Sequence, residues 1–140
     1  MCILKIYSET NSFTKFAEET QMPVVICKIK NEPHLLGSKR INPHHSISLN
    51  VSDLEWNNIQ GQIKDAVSFL TTWELELIKL IASHNTIDAY LDFPLYSRLG
   101  DNIINQNDLL PKELIVLAGR IGLGILMSIY DKNAFIDIDT

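Results

Sequence analysis

Four histidines and a scatter of aspartates are the side chains here best suited to chemistry. His44 and His45 adjoin each other, His34 lies ten residues earlier, and His84 is remote. Zinc sites use H-x₃₋₅-H, paired C-x₂-C or H-E-x-x-H spacing, which sets ligands on one side of a turn or helix. None of these occurs. Adjacent side chains on a strand point to opposite faces, so His44 and His45 are expected as a solvated pair rather than two ligands of one metal. Asp88 and Asp92, on one extended run, would stand ~13 Å apart at ~3.3 Å per residue. That exceeds the ~5–9.5 Å over which glycosidase carboxylates cooperate. "DKNAFIDID" lacks the glycine and closing glutamate of a calcium loop. No metal, cofactor or catalytic residue is assigned.

"GRIGLG" (Gly119–Gly124) runs G-x-x-G-x-G and follows a helical stretch, whereas a phosphate-cradling G-x-G-x-x-G opens one. Gly122 suits a helix C-cap instead. Neither G-x-S-x-G nor a nucleophilic cysteine signature is present. Cys2 and Cys27 lie in strand-like runs without C-x-x-C spacing, which suits buried free thiols in a reducing compartment.

The elements that position these groups follow from periodicity. "CILKIYS" (2–8) alternates as a strand. Asn11 or Ser12 can cap a short helix running to about Thr20, ended by Pro23. "VVICKIK" (24–30) is a second strand, rich in β-branched residues. "NEPHLLGSKRINPHH" is a loop, long for a compact domain, and such loops often carry function. "HSISLNVS" (45–52) alternates cleanly. Ser52 with Glu55 forms a capping box, which predicts one long helix or two in tandem over 53–83. Thr86–Leu95 is the next strand, with Ile87, Ala89, Leu91, Phe93 and Leu95 inward. A short extended piece is expected over Ile103–Asn105. Pro111 opens a helix with Leu114, Leu117 and Ile121 buried, and "LGILMSIY" (123–130) is the last strand, with Ile125, Met127 and Ile129 inward. The expectation is a single α+β domain over 1–140, a two-layer sandwich with a mostly antiparallel sheet and helices on one face. Its order is β-α-β-β-α(α)-β-α-β, with 131–140 a tail or edge strand.

At 46% hydrophobic and 21% charged residues, the composition is that of a globular chain. No apolar run nears the ~20 residues of a membrane span, and the N-terminal stretch lacks the layout of a signal peptide. A cytoplasmic protein is therefore expected. The net charge is −5, and residues 71–140 hold five basic against ten acidic groups. Nucleic acid is a poor partner for that balance, because phosphate affinity needs clustered Lys and Arg. A protein partner fits better.

The second half, "QIKDAVSFLTTWELELIKL", "DAYLDFPLYSRL" and "NDLLPKELIVLAGRIGLGILMSIY", resembles a bacterial family of uncharacterised single-domain proteins, mainly over residues 62–130. The resemblance rests on structural apolar and glycine positions and hands over no active-site residue. It implies a small acidic bacterial protein, a class that includes toxin-neutralising immunity proteins.

With helices on one face, the other face of the sheet would stay wet. It would carry Tyr7, Lys28, Tyr90, Asp92, Tyr96, Arg98 and Tyr130, residue types that anchor interfaces. Tyrosine also favours half-exposed strands for purely structural reasons. The favoured reading is a non-enzymatic protein-binding module of immunity type that uses this face. An exposed aromatic face and an edge-strand tail would also permit a homodimer. The alternative is a small-molecule or metal-binding domain, or a small enzyme. Its pocket would lie between loop 31–44 and residues 92–104 and gather His44, His45, Asp92, Tyr96 and Arg98.

Overall fold

Strict alternation makes β1 (Cys2–Ser8) two-sided: Cys2, Leu4, Ile6 and Ser8 are buried, while Ile3, Lys5 and Tyr7 are half-buried on the opposite side. The structure, a computed structural model, describes residues 1–134. After β1 come α1 (Thr14–Glu19), β2 (Val24–Lys28), β3 (His45–Ser52), α2 (Ile59–Ser83), β4 (Thr86–Tyr96), α3 (Lys112–Ile121) and β5 (Gly124–Tyr130). The strands form one sheet in the order β2-β3-β1-β4-β5. Every pairing is antiparallel except β4 with β5, which run parallel. A parallel pair needs a crossover, and α3 supplies it. The predicted α+β class and element order are those observed.

One core lies between the sheet and its helices. Leu4 and Ile6 of β1, Ile47 and Leu49 of β3, and Leu91, Phe93 and Leu95 of β4 meet Leu70 and Leu77 of α2 and Leu114 of α3, all fully buried. Phe13, ahead of α1, is also fully buried and stacks on His84 at 4.9 Å. Gly122, at φ 96°, ends α3 in the left-handed conformation that glycine adopts without penalty, and its N–H returns to the Ala118 carbonyl. Asn85, at φ 48°, makes the tight reversal from α2 into β4. Asparagine tolerates that region better than most residues.

Several sequence expectations are corrected. The 53–83 span is a single helix, and it starts at Ile59 under an Asn58 cap, not at Ser52. Ser52 still belongs to β3, and its hydroxyl donates to Asp65 at 2.7 Å. No second helix begins within this span: midway along it the Thr71 and Thr72 hydroxyls donate back to the Val67 and Ser68 carbonyls. A Cβ at Gly61 would lie 2.5 Å from Leu54 Cδ1 and 2.8 Å from the Asn58 amide, so those side chains would have to shift to admit one. β2 stops at Lys28, and Lys30 turns to the Glu9 carboxylate at 2.6 Å.

Ile87 is half exposed rather than buried. The register jumps from Tyr7↔Asp88 to Ser8↔Thr86, and this bulge places Ile87 outside the alternation. Ile129 is also exposed, near the end of the edge strand β5. The piece at Ile103–Asn105 reduces to one bridge, Gly100 with Ile103. Residues 131–134 form a turn held by the Asp131 carboxylate and carbonyl, and the expected edge strand beyond it falls outside the described residues.

Candidate functional site

Helices α1, α2 and α3 all pack on the side of the sheet that carries Leu4, Ile6, Leu49 and Leu91. The opposite side keeps a polar and aromatic surface whose layout follows from register. Lys5 lies between Ser48 of β3 and Tyr90 of β4, and Tyr7 lies between Ser46 and Asp88. The Tyr7 and Tyr90 rings stack with centroids 6.1 Å apart, and their hydroxyls are 3.4 Å apart. Burial, reinforced by the Tyr7 hydroxyl and then by Asp92 and Asp88, pushes the Tyr90 phenol well above its ordinary range. It is therefore neutral at physiological pH. Asp92 accepts from Lys5 Nζ at 3.3 Å and from the Ser128 hydroxyl at 2.7 Å, which ties β1, β4 and β5 across the open face.

At the β2–β3–β1 end the loop folds over this face. It is a small hairpin: Asn31 N–H donates to the Asn42 carbonyl, Asn42 N–H to the Glu32 carbonyl, and His34 N–H to the Arg40 carbonyl, at 2.7–2.9 Å. Gly37, at φ 77°, turns its tip. Asn42 is buried and acts as the brace. Its amide donates to the Ile29 carbonyl at 3.0 Å, and its oxygen accepts from His34 Nδ1 at 3.1 Å. Beneath the hairpin is a cavity of about 370 Å³ lined by Lys5, Tyr7, Lys28, His34, Arg40, Asn42, Pro43, His44, Ser46 and Ser48. One wall is fixed from outside by Glu9, whose carboxylate accepts from Lys30 and from His44 Nδ1. These two bonds, Lys30 foremost, hold the Glu9 carboxyl below the ordinary carboxylate range.

The residues singled out from sequence fall into separate groups. Tyr7, Lys28, Tyr90 and Asp92 share the open face. Tyr96 and Tyr130, paired in register at the ends of β4 and β5, gather around Trp56, with ring centroids 5.3 and 4.7 Å from it. Arg98 lies beyond the strand and donates to Asp108 at 2.7 Å. Burial would raise the Asp108 carboxyl, but bonds from Gln106 and Arg98 outweigh it and hold the group low. The pocket expected between loop 31–44 and residues 92–104 is not what the loop encloses, because every residue lining its cavity comes from positions 5–48. His44 faces that cavity. His45 turns away, with its Nδ1 accepting from the Lys30 N–H at 3.2 Å. Asp92 reaches the cavity only through Lys5.

Sequence reasoning passed over Arg40 and Trp56. The signal for Arg40 was a loop with Asn-Glu-Pro at its start, Ile-Asn-Pro at its end and glycine between them, which is how a hairpin folds its middle back. A larger groove of about 640 Å³ runs between α2 and the start of α3, but Lys64 and Glu113 are its only charged lining groups, of opposite sign. Burial raises both cysteine thiols above their ordinary range, Cys2 most, so neither is primed as a nucleophile. Among the described residues no three His, Cys, Asp or Glu side chains are grouped to hold a metal, and no helix is long and apolar enough to cross a membrane. No family model, curated protein or solved structure matches the chain.

Proposed function

We propose that this chain is a non-enzymatic module that binds a protein partner through the open face of its sheet. We place it with the bacterial single-domain family that its second half resembles, acting in the cytoplasm in the manner of immunity proteins. The observation that supports this is the stacked Tyr7–Tyr90 pair beside the Lys5–Asp92–Ser128 ladder, on the face opposite the one on which the described helices pack. Tyrosines in rigid, half-buried settings are the side chains from which binding energy is most often drawn. Ordered charges alongside them set the orientation of a partner.

The test is affinity capture from the native host, followed by titration calorimetry with the captured protein. Tyr90→Ala is expected to weaken binding at least about tenfold, and Asp92→Asn to weaken it less. Asp92→Lys is unsuitable, since it would set a second ammonium beside Lys5. Unchanged affinity in Tyr90→Ala, with the fold intact by circular dichroism, overturns the assignment of this face.

A further inference from the structure

The cavity under the 31–44 hairpin has a charge character opposite to that of the chain. A protein of net charge −5 lines this one space with Lys5, Lys28 and Arg40 and with no carboxylate. Lys5 is paired with Asp92, but Lys28 and Arg40 have no acidic partner among the described residues. Lys28 Nζ lies 3.2 and 3.3 Å from the two ring nitrogens of His34. His34 Nδ1 donates to Asn42, so the ammonium can spend one proton on the Nε2 lone pair, and its other two are left for a further acceptor. The Arg40 guanidinium and the hydroxyls of Ser46 and Ser48 line the same space and make no hydrogen bond among the described residues. Donors without an acidic partner, gathered around a shared and partly enclosed space, suit an acceptor carrying more than one negative charge.

We propose that this cavity binds a phosphate-class dianion, held by Lys28 and Arg40 and oriented by Ser46 and Ser48. A phosphate monoester carries about −1.5 to −2 charges and three acceptor oxygens at neutral pH, which suits two free cations flanked by two hydroxyls. The volume, about 370 Å³, falls within the ~300–1,000 Å³ of small-molecule sites. It holds the phosphate and leaves room for part of the group esterified to it. That group can come from a soluble metabolite or from a lipid. The hairpin tip bears on the second source, because Leu36 is fully exposed and Leu35 is 63% exposed beside the cavity mouth. This site goes beyond the partner surface proposed above and is tested without that partner.

Inorganic phosphate is titrated into the full chain and followed by amide NMR. Saturable shifts are expected at Lys28, Ser46 and Ser48, with a rise in thermal midpoint, and sodium acetate should reproduce neither. Arg40→Gln and Lys28→Met should each weaken phosphate binding about tenfold or more. Arg40 is exposed and its guanidinium makes no hydrogen bond among the described residues, so its replacement keeps the test sound even if Lys28→Met disturbs the strand. In a second arm the chain is sedimented with phosphatidylcholine vesicles that do or do not contain phosphatidic acid. Selective sedimentation that Leu36→Ser abolishes, while phosphate binding persists, assigns the lipid source, and phosphate binding without sedimentation assigns the soluble one. Absence of saturable shifts in the wild-type chain, shifts unchanged in Arg40→Gln, or equal shifts with acetate would overturn the proposal.

Discussion

Replacing Ser8 by alanine should be among the most damaging single changes outside the hydrophobic core. Ser8 is fully buried at the end of β1. Its hydroxyl donates to the His84 carbonyl at 2.5 Å and accepts from the Thr10 and Asn11 amides at 3.3 and 3.1 Å. One oxygen thus fastens β1, the turn that follows it, and the junction between α2 and β4. Each such bond contributes roughly 1 kcal/mol net, and a buried backbone group left unpaired costs about 1–3 kcal/mol. All three bonds are part-buried, so water can replace some of what each partner loses. We therefore expect a loss of about 2–3 kcal/mol, a large share of the ~5–15 kcal/mol that holds a domain of this size.

Urea unfolding followed by far-ultraviolet circular dichroism reads this directly, as a lowered midpoint with an unchanged slope. The thermal midpoint should fall by about 8–12 °C, at ~4 °C per kcal/mol. Asn85→Gly is the control. It keeps the left-handed backbone at φ 48° and removes only the exposed side-chain bonds to Thr10 and Asn11. Its loss should be less than half that of Ser8→Ala. A Ser8→Ala loss below about 0.5 kcal/mol, the range of an ordinary surface substitution, would refute the argument that this hydroxyl is a junction.

Gln62, fully buried in the first turns of α2, donates through Nε2 to the Pro94 carbonyl at 2.9 Å and the Glu55 carbonyl at 3.2 Å, while its Oε1 has no partner among the described residues. Gln62→Leu should cost about 1–3 kcal/mol in urea unfolding, because two carbonyls lose a donor while one orphan acceptor is removed. Gln62→Glu should cost more at neutral pH, since it aims a buried carboxylate at those carbonyls. Because burial raises a carboxyl's folded pKa, that excess loss should shrink as the pH falls. Glu9 carries the opposite sign. Its carboxyl is held low in the folded chain, so it stabilises above its unfolded pKa and loses that contribution as pH falls through the folded value. In Lys30→Met, carbon-detected NMR should show the Glu9 titration moving up toward the ordinary range, and the acid dependence of stability that it contributes should flatten.

The strands most readable from sequence were those with one dry and one wet side. β1 and β3 begin and end where their alternation does, and Pro111 and Gly122 bracket α3 as their backbone chemistry requires. The start of α2 was misread because Ser52 and Glu55 satisfy the capping-box pattern locally, while the pairing of Cys2 with Ser52 holds that serine in the sheet. Tertiary pairing outweighed a local signal worth about 1 kcal/mol. Ile87 was misread because alternation assumes an unbroken register, and a bulge is set by the partner strand. At the candidate site, Tyr7, Tyr90 and Asp92 could be placed on one face by counting in twos. The basic cavity could not, because Arg40 reaches it through a hairpin closed by backbone pairing and braced by the Asn42 side chain.

The position of β1 in the middle of the sheet has a consequence for how the chain is made. β1 is made before both of its neighbours, β3 on one side and β4 on the other, and β4 lies about eighty residues downstream. Until residues 86–96 clear the ribosome, β1 presents an unpaired edge whose Leu4 and Ile6 are still looking for cover. Such an edge is a template for unwanted pairing, and closing it requires a long-range contact of the kind that slows folding. A nascent chain paused before β4 thus leaves that edge open to such pairing for longest.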